Sequence, residues 1–293
     1  MVNPYKKEAG KEIVLASYQR LLEQWGVPYQ EAEIQTTFGL THVIQAGETH
    51  NAPLFLFHGV GDNSALMWIY NIAELSRHFA IYAIDTIGGP GKSVPNDRFS
   101  RDFDQASWID KIREHYGLDR VNLAGVSNGS YLASYYTIRY PARVDRMVGM
   151  AGGVKVNVLR TMLFFLPEAL FPVSDRTTRR LFRKMCAPSR STVFEDHPEI
   201  LSHWTYLLTY FNNRAMMRHK YRIFKEEELA ILREKALYLI GEYDRMSNYP
   251  GAIRELEHNR ICYKIIPDAG HGINLEQAAT VNEELIRYFS DNR

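Results

Sequence analysis

Residues 125–129 read Gly-Val-Ser-Asn-Gly. The run before them, "VNLAGVS", is continuously apolar, as a buried strand would be, and "GSYLASYYTIRYP" after them has helical spacing. A serine between two glycines at a strand-to-helix turn is a nucleophile elbow. The turn is so tight that a side chain at Gly125 or Gly129 would meet neighbouring backbone. The same tightness lifts the Ser127 hydroxyl clear of the sheet edge. A hydroxyl is a weak nucleophile until a base takes its proton. His271, in "PDAGHGINLEQ", follows the last apolar run and is the expected base. Its ring needs a carboxylate to fix the tautomer and to stabilise the imidazolium that forms. "ALYLIGEYDRM" ends the preceding run and offers Glu242 and Asp244. Asp244, one turn residue further out, is the expected partner, with Glu242 as the alternative. Asp268 lies too near His271 in sequence to orient it. The order serine, acid, histidine is the one such elbows use.

Acyl transfer also needs N–H donors for the oxyanion of its tetrahedral intermediate. The residue after the nucleophile, Asn128, would supply one. The loop after the first central run, "LFLFHGVGDNS", would supply the other from Val60, with His58 and Gly59 shaping the turn. Trp68, just beyond that loop, would either wall a pocket or staple its own helix.

A competing motif is "TIGGPGKSVP", whose Gly91-Lys92-Ser93 looks like the tail of a phosphate loop. That motif needs a glycine where Thr86 stands and a helix where Pro95 stands. Without a helix N-terminus the phosphate would lose its aligned N–H donors, so the stretch reads as a glycine-rich turn in which Asp85 bonds locally. The remaining histidines show no paired spacing of the kind a metal site uses, so no metal is expected. The 293 residues carry 35 Lys and Arg against 34 Asp and Glu, a net charge of +1, which does not suggest a nucleic-acid partner. The beginning of the chain lacks the apolar core of a secretory signal, and the most apolar run, "MLFFLPEALF", is too short for a membrane span. Two cysteines, Cys186 and Cys262, are read as reduced thiols, which fits a cytoplasmic protein.

The elements that must hold these residues follow from periodicity. "EIQTTFGLTHVIQAG" alternates around Gly39 and predicts an antiparallel hairpin. "PLFLFHG", "FAIYAIDTIG", "VNLAGVS", "RMVGMAGG", "ALYLIGEYD" and "CYKIIPDAG" are apolar runs that suit strands covered on both faces. Helical patterns lie between them, including "SALMWIYNIAELSRHF" and "FDQASWIDKIREHYG". The alternation predicts an α/β fold with a mostly parallel sheet flanked by helices, and ligands in such sheets bind beyond the carboxyl ends of the strands. From about 154 to 234 no strand pattern occurs. This divides the chain into 1–153, a helical cap at 154–234, and 235–293, the first and last forming one core. Phe164, Trp204 and Phe211 in the cap, with Trp68, are candidates for an apolar substrate pocket. The run Arg176, Arg179, Arg180, Arg183 and Lys184 reads as a solvated helix face.

With "FHGVGDNSALMW", "AIDTIGGPGKSVP", "LAGVSNGS", "LIGEYD" and "DAGHGINLEQ" in this order, the chain resembles the α/β-hydrolase superfamily over nearly its whole length. Within it, the chain looks most like bacterial carboxylesterases. The resemblance implies the α/β-hydrolase fold, a triad of Ser127, Asp244 and His271, no cofactor, and a small-molecule ester substrate. It leaves the substrate open, because the cap shapes the pocket. Lactonase, thioesterase or C–C bond hydrolase chemistry would use the same triad, and a non-catalytic receptor could use the same scaffold.

Overall fold

A computed structural model describes residues 3–152, 154, 158–190, 194, 197–247 and 249–291. Its strands are β1 (Tyr29–Thr36), β2 (Gly39–Ala46), β3 (Ala52–Phe57), β4 (Phe79–Ile84), β5 (Val94–Pro95), β6 (Val121–Val126), β7 (Val144–Met150), β8 (Ala236–Gly241) and β9 (Cys262–Ile266). They form one sheet in the order β1-β2-β4-β3-β6-β7-β8-β9, with β5 paired to β2. β1 and β2 make the expected hairpin, with Thr36 opposite Gly39. β2 also runs antiparallel to β4, while the six strands from β4 to β9 along the sheet are parallel neighbours. Every residue of β4, β6 and β8 is buried, because these inner strands have neighbours on both sides and helices on both faces. β9 forms the sheet edge and is largely open, which leaves Cys262 exposed; Cys186 is buried, and neither is in a disulfide.

Each face of the sheet carries its own apolar core. One holds Tyr18, Trp25, Trp68 and Leu285; the other holds Trp108, Tyr136, Tyr238 and Leu256. The helix Gln105–His115 starts where the Asp104 carboxylate accepts the Ser107 N–H at 2.6 Å, an N-cap, and ends at Gly117 with φ 62°. The pattern "SALMWIYNIAELSRHF" forms not one helix but two single turns, Ser64–Met67 and Ile72–Leu75. An unbroken helix would give the Met67 carbonyl to the N–H of Asn71. Instead the Asn274 side chain donates to that carbonyl at 2.6 Å, and the Asn71 N–H turns to Trp68 O at 2.9 Å.

Between β7 and β8 the described residues form the helices Val158–Ala169, Asp175–Met185, Pro198–Tyr210 and Glu226–Lys235, and no strand. Glu226–Lys235 buries Leu229 and Leu232 in the second core, beside Tyr131 and Leu132 of the helix Asn128–Arg139, so it is the crossover from β7 to β8. Pro198–Tyr210 lies against a helix at the start of the chain, Glu8–Glu23, so closely that a Cβ on Gly10 would stand 2.5 Å from the Tyr210 ring.

Candidate active site

β6 ends at Val126, and the helix Asn128–Arg139 begins two residues later. Ser127 bridges them with φ 56°, a left-handed conformation that costs a non-glycine residue energy. The surrounding backbone holds it there: its N–H donates to Met150 O at 2.8 Å, and its carbonyl accepts from Tyr131 N at 3.3 Å. A Cβ on Gly125 would lie 2.2 Å from the carbonyl of Gly129, and one on Gly129 would lie 2.1 Å from Phe57 O. Both glycines are therefore sterically required, because β3, β6 and the elbow helix meet at this point.

Asp244 follows the end of β8, and His271 follows the end of β9. They are hydrogen-bonded: His271 Nδ1 is 3.2 Å from Asp244 Oδ1 and 3.1 Å from Oδ2. Asp244 is fully buried. Burial alone would raise its pKa. The neighbouring imidazole and the hydrogen bonds from Ser247 outweigh burial and hold the carboxyl below its usual range. Its Oδ1 also accepts the N–H groups of Met246 and Ser247, each at 3.0 Å. Glu242, the alternative acid, points elsewhere and accepts the Asp268 N–H at 3.1 Å. Ser247 Oγ stands 3.2 Å from His271 Nδ1 and donates to Ala151 O at 2.7 Å. Ala151 follows Met150, the residue that anchors the Ser127 N–H, so these contacts join the ends of β6, β7, β8 and β9.

The loop after β3 reaches the elbow as well. A Cβ on Gly59 would lie 3.5 Å from that of Ser127, and the next residue, Val60, is 44% exposed. His58 shapes the turn as a neutral ring: its Nδ1–H donates to Gly59 O and its Nε2 accepts from Thr86 N, both at 2.8 Å. Burial lowers its pKa, which favours that neutral form. Two residues after Val60, Asp62 is buried, which pushes its carboxyl up to about 8. The structure places the Asn128 backbone at the start of the elbow helix, with its side-chain Oδ1 accepting from Tyr221 Oη at 2.6 Å.

The four aromatic pocket candidates are not equivalent. Trp68 has no accessible surface and packs in the core, so of its two expected roles its burial fits the packing one. Phe211 is also buried and bridges to Tyr5. Trp204 is partly open, edge-on to Phe182 at 5.2 Å, and Phe164 lies beneath the Lys184 ammonium at 4.2 Å.

The structure adds several residues that the sequence did not mark. Glu276 is buried five residues after His271. Its Oε2 accepts the N–H of Gly270 at 2.9 Å and that of Ala187, from the insertion, at 2.7 Å. The His271 N–H donates to Met185 O at 2.8 Å. His203, from Pro198–Tyr210, contacts Asn63 Nδ2 at 2.9 Å through its Nε2, and burial drops its pKa to about 3. The insertion thus grips the loop after β3, the elbow and the histidine loop. A second network surrounds Asp85, which accepts from His42 Nδ1, Tyr18 Oη and Ser64 N at 3.0 Å and from Lys92 N at 2.9 Å. Its bond to Lys92 is the local turn contact expected of it, but its other partners come from three separate segments. The chain then enters β5 where a phosphate loop would need a helix. Among the described residues no three His, Cys, Asp or Glu side chains converge as a metal site requires.

A family model described as the α/β hydrolase fold matches residues 52–278, from β3 to just past His271. The chain belongs to the α/β-hydrolase family. This α/β hydrolase is 26% identical to the carboxylesterase YbfK of Bacillus subtilis over 93% of its own length and 92% of the relative's. It superposes on the naproxen esterase (carboxylesterase NP) of Bacillus subtilis with a TM-score of 0.83 at 25% identity, covering 97% of this chain and 99% of that one. The 2-hydroxy-6-oxo-6-phenylhexa-2,4-dienoate hydrolase of Rhodococcus sp. strain RHA1 shares the fold, with a TM-score of 0.69 at 17% identity over 90% of this chain and all of that one.

Proposed function

We propose that this α/β hydrolase is a serine esterase that cleaves small apolar carboxylic esters through an acyl-enzyme. The observation that carries the reading is the hydrogen bond from His271 to buried, ionised Asp244, formed beyond the carboxyl ends of the same parallel sheet whose β6 leads into a serine held at φ 56° between two sterically required glycines. Ser127 Oγ attacks the ester carbonyl carbon while His271 Nε2 takes its proton. Asp244 keeps the Nδ1–H tautomer in place and stabilises the imidazolium. The oxyanion accepts the backbone N–H groups of Val60 and Asn128. Collapse expels the alcohol, which leaves with the proton from His271. Water, activated by the same imidazole, then releases the carboxylic acid and frees Ser127.

The carboxylesterase names of its similar relatives support an ester as the substrate. The insertion from 154 up to the crossover helix Glu226–Lys235, which packs in the core, acts as the cap, and the partly open Trp204 and Phe164 are its candidates for contact with an apolar group. Ser127→Ala should lower p-nitrophenyl ester turnover by about 10⁴-fold or more and leave the thermal midpoint near that of the parent. Retained turnover would remove Ser127 from the chemistry.

A further inference from the structure

The helix Val158–Ala169 is oriented contrary to its composition. Leu159, Met162, Leu163, Leu166 and Leu170 fall at i, i+3, i+4, i+7 and i+11, which is one face of a helix continued by a residue. On an ordinary surface helix that stripe would face the core. Here it faces outward: Leu159 is 67% exposed, Leu163 58% and Leu170 75%, and Phe171 and Val173 extend the patch into the following turn. The inward side carries Phe164, held by Lys184 through its backbone carbonyl and its ring. A contiguous apolar surface of this kind marks a place where something docks.

The charge around it indicates what. Residues 158–190 contain seven Arg and Lys against two Asp and Glu, a net charge of +5 in a chain whose total is +1. The next helix, Asp175–Met185, presents exposed Arg176, Arg180 and Arg183, and the Arg180 guanidinium lies 5.8 Å above the Phe171 ring, at the border of the patch. A second copy docking through a two-fold axis would bring two such positive segments together. An apolar helical stripe bordered by cations matches a different surface, the boundary between anionic headgroups and acyl chains. We infer that the helix Val158–Ala169 and the turn after it dock this protein reversibly on an anionic lipid surface, with the leucine stripe entering the acyl boundary and the arginines of Asp175–Met185 meeting the headgroups. No described helix is long and apolar enough to cross a membrane, so the contact is peripheral.

The test is co-sedimentation of the purified full chain with vesicles of phosphatidylglycerol and phosphatidylcholine in equal parts, and with phosphatidylcholine alone. The inference predicts binding to the anionic vesicles that weakens in high salt. It predicts a loss of at least about tenfold in partitioning for the double variant Leu163→Glu/Leu166→Glu, because charge at the acyl boundary is expelled. Arg176→Glu, which leaves the stripe intact, removes a cation and adds an anion and should reduce binding by about fivefold or more. Both substitutions are at exposed positions, so circular dichroism and thermal midpoints should match the parent. Absence of binding, equal binding to neutral vesicles at all salt concentrations, or unaltered binding by the Leu163→Glu/Leu166→Glu protein would overturn the inference. So would sedimentation equilibrium that shows a dimer abolished by those same substitutions, since a second copy would then cover the stripe. The readout is vesicle binding, so the result does not depend on the ester reading.

Discussion

Asp244 and Glu242 are two residues apart at the end of β8, and the structure gives them different surroundings. Asp244 is buried against His271, while Glu242 is exposed and bonds the Asp268 backbone. Asp244→Asn keeps the shape but replaces an acceptor with an amide that favours the wrong imidazole tautomer. It should lower kcat on a p-nitrophenyl ester on the order of 10⁴-fold. Glu242→Gln should stay within about twofold of the parent, the range of an exposed substitution. Comparable losses in the two variants would mean that the acid has been misassigned. Gly125→Ala would act on the elbow itself. Its methyl would meet backbone atoms of Gly129 at 2.2 Å, which cannot move without shifting the elbow helix. Thermal or urea unfolding should show it destabilised by at least about 1–3 kcal/mol, the usual cost of overpacking.

Among the elements, the link between the insertion and the histidine loop carries the most consequence. One oxygen of Glu276 accepts N–H groups from both, and His271 itself hangs from Met185. Burial raises the pKa of this carboxyl above its usual range, against the smaller opposing effect of its backbone donors. Glu276→Ala leaves two buried N–H groups without a partner, at about 1–3 kcal/mol each. It should lower the unfolding midpoint and reduce kcat more than it raises KM, because the loosened loop carries the proposed base, His271. Glu276→Gln, whose amide oxygen can accept both bonds, should recover most of the loss. An unchanged kcat in the Ala variant would confine Glu276 to stability. The strands were legible from the sequence because "FAIYAI" and "VNLAGV" have no polar side, which only burial on both faces tolerates. The break at Trp68–Asn71 was not, because Asn274 causes it from two hundred residues away. Glu276 was hidden for the same reason: its partners are backbone groups of another segment, and they leave no mark on the local pattern.

At the scale of the whole molecule, His42 joins β2 to β1 and to the end of β4. Its two ring nitrogens face Asp85 at 3.0 Å and Glu31 at 2.8 Å, both acceptors, so the ring is an imidazolium. Burial opposes that charge, but the hydrogen bonds to the two carboxylates prevail and raise the pKa to about 9. A raised pKa means that the stabilisation is complete below the unfolded value of about 6.5 and is lost as pH climbs through about 9. Urea midpoints should therefore fall between those two values, and His42→Gln should flatten that part of the profile. An unchanged slope in the variant would place the dependence in another group. The candidate site was legible where its proposed residues sit at strand ends with recognisable neighbours: Ser127 in its glycines, Asp244 after "LYLIG", His271 after "CYKII". The His42 network was not, because it gathers Tyr18, Glu31 and the turn that holds Asp85 and Lys92 from three segments whose proximity only the folded sheet creates. The proposed chemistry is likewise a matter of assembly: Ser127 would be a nucleophile activated by a histidine distant in sequence. The most direct measurement is peptide mapping by mass spectrometry after treatment with a fluorophosphonate. The account predicts one adduct, on the peptide containing Ser127, that disappears in Ser127→Ala and forms far more slowly in His271→Ala. An adduct on a different residue, or labelling of Ser127 at an equal rate without His271, would contradict it.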